Sequence, residues 1–133
     1  MIVGFTCGAF DLFHAGHIAM LAEISAQCDF LIVGVQTDPS IDRPEKNKPI
    51  QTLIERQLQV QACRYVDQVI VYETEADLLT LLNLLPIDKR FLDITYRDKD
   101  FTGKSIKRFE TVYNSRDHYF SSTDLRGRIK NNT

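Results

Sequence analysis

The chain is predicted to fold as one doubly wound parallel α/β sheet of about five strands, with helices on both faces. Three observations lead to that expectation. The run Phe30-Leu31-Ile32-Val33-Gly34-Val35 is near-continuously apolar, as a parallel strand covered on both sides must be. Further short apolar runs alternate with stretches of helical spacing along the whole chain. The first run, from Ile2 to Phe5, passes through Gly8 into a helical pattern at Ala15. That strand-to-helix turn lies at the carboxyl edge, where open sheets bind ligands.

The elements follow in order. A strand over residues 2–5 leads to a helix carrying Ile18, Leu21 and Ala22 at one-face spacing and ending near Gln27. The second strand, residues 30–35, stops at Thr37-Asp38-Pro39-Ser40, and a polar loop over residues 42–49 leaves the same edge. Thr52-Leu53-Ile54-Glu55 has the pattern of a capping box, and Ile54, Leu58, Ala62 and Tyr65 form one apolar face behind it. Val69-Ile70-Val71-Tyr72 is the third strand. Thr74 and Asp77 open a leucine-dense helix over residues 75–85, stopped by Pro86. Residues 90–95 read as the fourth strand, 97–104 as a charged loop and 110–113 as the fifth strand. A loop from Asn114 to Phe120 and a helix capped by Ser121-Ser122-Thr123-Asp124 close the chain. The alternation is that of a Rossmann-like sheet, read as a single domain over residues 1–133.

Composition narrows the function classes. The chain has 133 residues, 44% hydrophobic and 26% charged, ordinary values for a globular protein. Sixteen basic against eighteen acidic residues leave a net charge of -2, so nothing global points to nucleic acid or a membrane. Cys7, Cys28 and Cys63 are odd in number and lack C-x-x-C spacing, and are expected as reduced, near-core residues. No signal peptide or membrane span is read, and the expected compartment is the cytoplasm.

The chemistry concentrates at His14 and His17. Three residues apart on a first helical turn, they share a face and can reach one ligand together, while Gly16 between them leaves room for a phosphate. Helix N-termini favour anions in any case. No protein metal site is read, because a helical zinc pair needs i, i+4 spacing and a third ligand. Lys46 and Lys48 leave the same sheet edge and are candidates to close over bound phosphates. Cys7, Gly8, Ala9, Phe10, Asp11 and Gly16 complete the candidate phosphate-binding turn, with Asp11 read first as the residue that holds it together. Asp38, at the end of the second strand, is left undecided.

Gly8-Ala9-Phe10-Asp11-Leu12-Phe13-His14-Ala15-Gly16-His17 resembles the G-x-F-D-x-x-H-x-G-H signature of the cytidylyltransferase-like nucleotidyltransferases. The length, the segment Arg64-Tyr65-Val66-Asp67-Gln68-Val69-Ile70 and the ending are similar to the glycerol-3-phosphate cytidylyltransferases. That family has an arginine five residues before a serine- and threonine-rich helix start, as Arg116 stands before Ser121-Ser122-Thr123 here. The resemblance implies attack of a substrate phosphate on the α-phosphorus of CTP, with Mg2+ accompanying the triphosphate and pyrophosphate leaving. It implies His14, His17, Lys46 and Arg116 in catalysis, and Lys48, Ser121, Ser122 and Thr123 on the nucleotide. It also implies a homodimer. Where the family has glycine followed by acids after the fourth strand, this chain reads Leu92-Asp93-Ile94-Thr95, which makes Asp93 a further nucleotide-binding candidate. Two other readings stand beside this one: an ATP-dependent adenylyltransferase of the same superfamily, and a nucleotide-binding scaffold without turnover.

Overall fold

The computed structural model describes residues 1–115 and 122–131. It contains β1 (Val3–Gly8), α1 (Ala15–Ser25), β2 (Phe30–Gln36), the short α2 (Pro39–Asp42), α3 (Leu53–Ala62), β3 (Gln68–Tyr72), α4 (Glu75–Leu84), β4 (Lys89–Asp93), β5 (Glu110–Asn114) and α5 (Ser122–Asn131). The strands form one sheet in the order β3-β2-β1-β4-β5, and every pairing is parallel. The chain thus winds outward from β1 to β3, then returns to start β4 on the other side of β1. The expected doubly wound sheet is present.

Alternation along the strands sorts the core into two layers. On one face Phe5, Ile32 and Tyr72 pack against Leu78 and Leu82 of α4. On the other, Leu31, Val33 and Val35 pack against Leu21 and Ile24 of α1 and Val60 of α3. Central β2 is buried from Leu31 to Gln36, in keeping with its apolar run. Aspartates receive the backbone N–H groups at the amino ends of two strands, Asp88 from Val3 (2.8 Å) and Asp67 from Leu31 (2.7 Å).

Several boundaries and faces differ from the sequence reading. β4 ends at Asp93, and Ile94–Tyr96 coil into a 3-10 turn rather than extending the strand. α1 stops at Ser25, and its buried residues are Gly16, Leu21 and Ile24, with Ile18 facing outward. The segment read as the end of the second strand turns into α2, capped by Asp38, whose carboxylate accepts from Ser40 N (2.9 Å) and Oγ (2.6 Å). α4 carries leucines on both sides, with Leu78 and Leu82 buried and Leu79 and Leu84 exposed.

The largest correction concerns α3. Its expected apolar face is the outer one: Ile54 is 68% and Leu58 60% exposed. Arg56 and Val60 are buried instead, with Leu53 and Cys63 packed beside Val60's layer. The reason is a set of backbone carbonyls left unpaired where β1 and β2 end. Arg56, 2% exposed, donates to the carbonyls of Gln51 (3.2 Å), Ala9 (3.0 Å), Gln36 (2.6 Å) and Thr37 (2.5 Å). Buried carbonyls demand donors more strongly than two leucine-class side chains demand cover.

Candidate active site

β1 and β4 are hydrogen-bonded neighbours only at their beginnings, where Gly4 lies beside Lys89 and Phe5 beside Arg90. Beyond that point they splay, and Thr6 Oγ1 bridges the gap to Phe91 O (3.2 Å). The reversal of winding between these strands leaves a crevice at the carboxyl edge, the place where such sheets bind ligands. The crevice here is a cleft of about 290 Å³. Thr6, Cys7, Gly8 and Ala9 form one wall and Arg90 to Asp93 the other, with Arg43, Lys46, Glu75, Tyr96, Phe101 and Thr102 around the mouth.

The turn from β1 to α1 sits at this edge. His14 is the N-cap of α1; its Nδ1 accepts from Gly16 N (2.9 Å), and its own N–H donates to His17 Nδ1 (3.1 Å). The two rings lie 4.0 Å apart, and His17 stacks on Phe13 at 5.3 Å with the planes 4° from parallel. A ring nitrogen that accepts a hydrogen bond carries no proton, so each neutral imidazole bears its proton on Nε2. The capping box therefore fixes both rings as Nε2–H donors. Sequence spacing brought the pair together as expected; the reciprocal use of their Nδ1 atoms was not legible there.

The turn is strained and held. Phe10 and Leu12 both have φ of 52°, a left-handed conformation that costs a residue bearing a Cβ about 1–2 kcal/mol. Asp11 between them is buried, and its carboxylate accepts from Ile50 N and Gln51 N (2.9 Å each) and pairs with Arg126 Nη2 of α5 (2.7 Å). Burial by itself would raise its pKa, but the two backbone N–H groups and Arg126 outweigh that and hold it below the usual carboxylate value. Gln51 Oε1 receives Leu12 N (2.8 Å). Asp11 thus holds the turn together, and Arg126, which sequence reading passed over, ties the last helix to it.

Lys46 reaches across the cleft mouth to Tyr96, with Nζ 3.4 Å from the hydroxyl and 6.0 Å from the ring centroid. Lys48 is exposed on the same loop, outside the cleft lining. Cys7 lies in the wall beside Tyr72; burial raises its thiol pKa and keeps it neutral, despite the opposing charge of Arg90. Asp93 ends β4 on the cleft and accepts from Thr95 Oγ1 (2.7 Å). Asp38 is engaged as the cap of α2. Arg116 and Ser121 lie outside the described residues; Ser122 and Thr123 open α5, and only their backbone is described. Among the described residues no three metal-ligating side chains cluster, and no helix is long and apolar enough to cross a membrane.

A parallel doubly wound sheet with a cationic cleft at its switch point, beside a helix capped by paired imidazoles, defines a class of proteins that bind phosphate-bearing ligands at the strand ends. The chain belongs to the cytidylyltransferase-like family, whose model matches residues 5–128. It is 38% identical over 109 residues to the bifunctional protein HldE of Granulibacter bethesdensis, which covers 81% of this chain and 22% of that protein. It is 43% identical over 81 residues to the ethanolamine-phosphate cytidylyltransferase of Arabidopsis thaliana, covering 58% and 19%. The chain thus spans about a fifth of the length of these relatives. Among solved structures, the lipopolysaccharide core biosynthesis protein of Thermoplasma volcanium matches with a TM-score of 0.62 and 24% identity, over 98% of this chain and 88% of that one. At that identity the likeness is one of fold.

Proposed function

We propose that the chain is a nucleotidyltransferase that moves a cytidylyl group from CTP to a small phosphorylated alcohol. A phosphate oxygen of the acceptor attacks the α-phosphorus of CTP, the bond to the β-phosphate breaks, and pyrophosphate leaves. The observation that carries this reading is the paired capping of α1 by His14 and His17, which leaves two Nε2–H donors on the turn that begins with Gly8 and Ala9 in the cleft wall, with Lys46 also on the cleft. Transfer at phosphorus needs positioning and charge stabilisation more than covalent help, and preorganised donors supply both. His14 and His17 hold the triphosphate and stabilise charge as it develops; the amides of the first turn of α1 add to this. Lys46 neutralises phosphate at the cleft mouth and Lys48 the outer phosphates. In the same reading Arg116, Ser121, Ser122 and Thr123 complete the nucleotide site.

Magnesium fits as a companion of the triphosphate. It characteristically takes one or two carboxylates and completes its shell with phosphate oxygens and water. Asp93, a single carboxylate on the cleft wall, is the residue that would hold it, and the ion would offset charge on the phosphates. The relatives that are ethanolamine-phosphate cytidylyltransferases support CTP as donor. A glycerol 3-phosphate-like acceptor rests on the sequence resemblance.

We also infer a homodimer. The α1–α3 face carries an apolar groove lined by Phe13, Ile18, Ala62, Cys63 and Tyr65, with Ile54 and Leu58 exposed on the same helix. A second copy of that face is its proposed cover. Three free cysteines suit a reducing compartment such as the cytoplasm. The functional test is pyrophosphate release with magnesium, each of CTP, ATP, GTP and UTP, and a panel of phosphorylated alcohols. Release that depends on CTP and an acceptor supports the reading; release with ATP alone would make the chain an adenylyltransferase, and nucleotide binding without release a scaffold.

A further inference from the structure

Arg90 is the second residue of β4 and is 2% exposed, yet it lines the cleft. The positions around it explain how it is held. Its Nη1 donates to the carbonyl of Thr102, and its guanidinium lies 5.2 Å from the centroid of the Phe101 ring. Gly103 follows with φ of 83°; a Cβ there would lie 2.9 Å from Arg90 Nη1 and 2.6 Å from Leu82, so only glycine lets this loop close on the guanidinium. Phe101 is itself braced edge-on by Tyr96 and Tyr113. The fork is therefore built into one orientation.

What it lacks is a counter-charge. Among the described residues no carboxylate pairs with Arg90, and its buried Nε has no hydrogen-bond partner. Of the two acids on the cleft, Glu75 pairs through Oε1 with Arg43 (3.3 Å), leaving its Oε2 buried without a partner, and Asp93 accepts from Thr95; neither is paired with Arg90. A buried guanidinium without an anion is costly, and one carbonyl and one ring do not offset that cost.

We propose that Arg90 anchors a second anionic group of the acceptor, so that the cleft takes a phosphorylated alcohol whose non-reacting end carries a carboxylate or another phosphate. This rests on the nucleotidyltransferase reading and narrows it. The reacting phosphate stays at the strand edge by Ala9 and the histidine turn, while the far end reaches inward along Cys7 to the guanidinium. An acceptor ending in an ammonium group, such as phosphoethanolamine, meets a fixed positive charge there.

Three probes of similar size and different far-end charge test this: 3-phosphoglycerate, glycerol 3-phosphate and phosphoethanolamine. Their binding to the wild-type protein, measured by calorimetry without nucleotide, is expected to fall in that order, with 3-phosphoglycerate favoured over glycerol 3-phosphate by about tenfold or more. In Arg90→Gln the preference should collapse, while affinity for CTP stays within about threefold. Equal binding of the three probes by the wild type overturns the proposal, even where Arg90→Gln fails to fold. A variant that loses CTP affinity and keeps the preference among probes also overturns it, by assigning Arg90 to the nucleotide. If the binding order holds and no nucleotide yields pyrophosphate, the anchor stands and the nucleotidyltransferase reading falls.

Discussion

His14 caps α1 with Nδ1 and is proposed to serve the phosphates with Nε2, and substitution can separate the two roles. His14→Ala removes the cap acceptor and the Nε2–H donor together. It should lower stability by about 1 kcal/mol and turnover on the order of 10²–10⁴-fold. Asparagine restores a cap acceptor without the imidazole, so His14→Asn should melt close to wild type and remain as slow as the alanine variant. Turnover near wild type in His14→Asn would reduce His14 to a helix cap. Asp11 makes a different prediction, of acid sensitivity. Its folded pKa is depressed by Ile50 N, Gln51 N and Arg126 against the opposing effect of burial. The stability it contributes is therefore complete above the unfolded value near 4 and is lost as pH falls through the lower folded value. Asp11→Asn should cost about 1–3 kcal/mol at pH 7, and the gap between the two proteins should narrow from pH 5 towards pH 2 in urea melts. A gap unchanged over that range would mean that Asp11 carries no net charge effect.

α3 is oriented by a polar residue against its own hydrophobic pattern. Positions 53, 56, 60 and 63 form the inward stripe, and its charged member ties the ends of β1 and β2 to the helix. Arg56→Met keeps much of the volume and strips the donor from four backbone carbonyls. It should destabilise the fold by about 3 kcal/mol or more, and it should weaken nucleotide binding further, because Ala9 belongs to the site turn. Chemical denaturation with a nucleotide titration checks both. Ile54→Gln and Leu58→Gln, at the more hydrophobic positions of the same helix, should leave monomer stability within about 0.5 kcal/mol. The reverse ranking would restore the face that periodicity favours.

For the molecule as a whole, the two faces of the sheet have different outer surfaces. α4 exposes Leu79 and Leu84, whereas the α1–α3 side exposes Ile18, Ile54 and Leu58 around a groove. Light scattering should give about twice the 15.3 kDa chain mass, and Ile18→Glu with Leu58→Glu should return it to one chain. A wild-type protein of single-chain mass at micromolar concentration would sink the dimer. Arg126 of α5 pairs with Asp11, so the site turn, the segment leading into α3 and the last helix meet on one carboxylate.

The parallel sheet, its two-sided burial and the histidine turn were legible in the chain because each is written in local pattern. An apolar run of strand length, a glycine before a helix and i, i+3 histidines need no distant partner to be recognised. The acid displaced from the usual pattern, Asp93, also proved to stand at a strand end on the cleft. Arg56, Arg90 and Arg126 were not legible, since an arginine in a helix or strand reads as a surface charge until its acceptors are known. Those acceptors lie 19 to 47 residues away for the β1 and β2 carbonyls and 115 residues away for Asp11. The early end of β4 belongs with them: residues 94 and 95 have strand-forming side chains, but β4 and β5 pair only as far as Asp93 and Asn114, and the backbone turns where its partner stops. Local pattern chose the architecture because burial of apolar faces dominates it. Tertiary contact chose which polar groups went inside, because each had to find a partner that only the folded chain supplies.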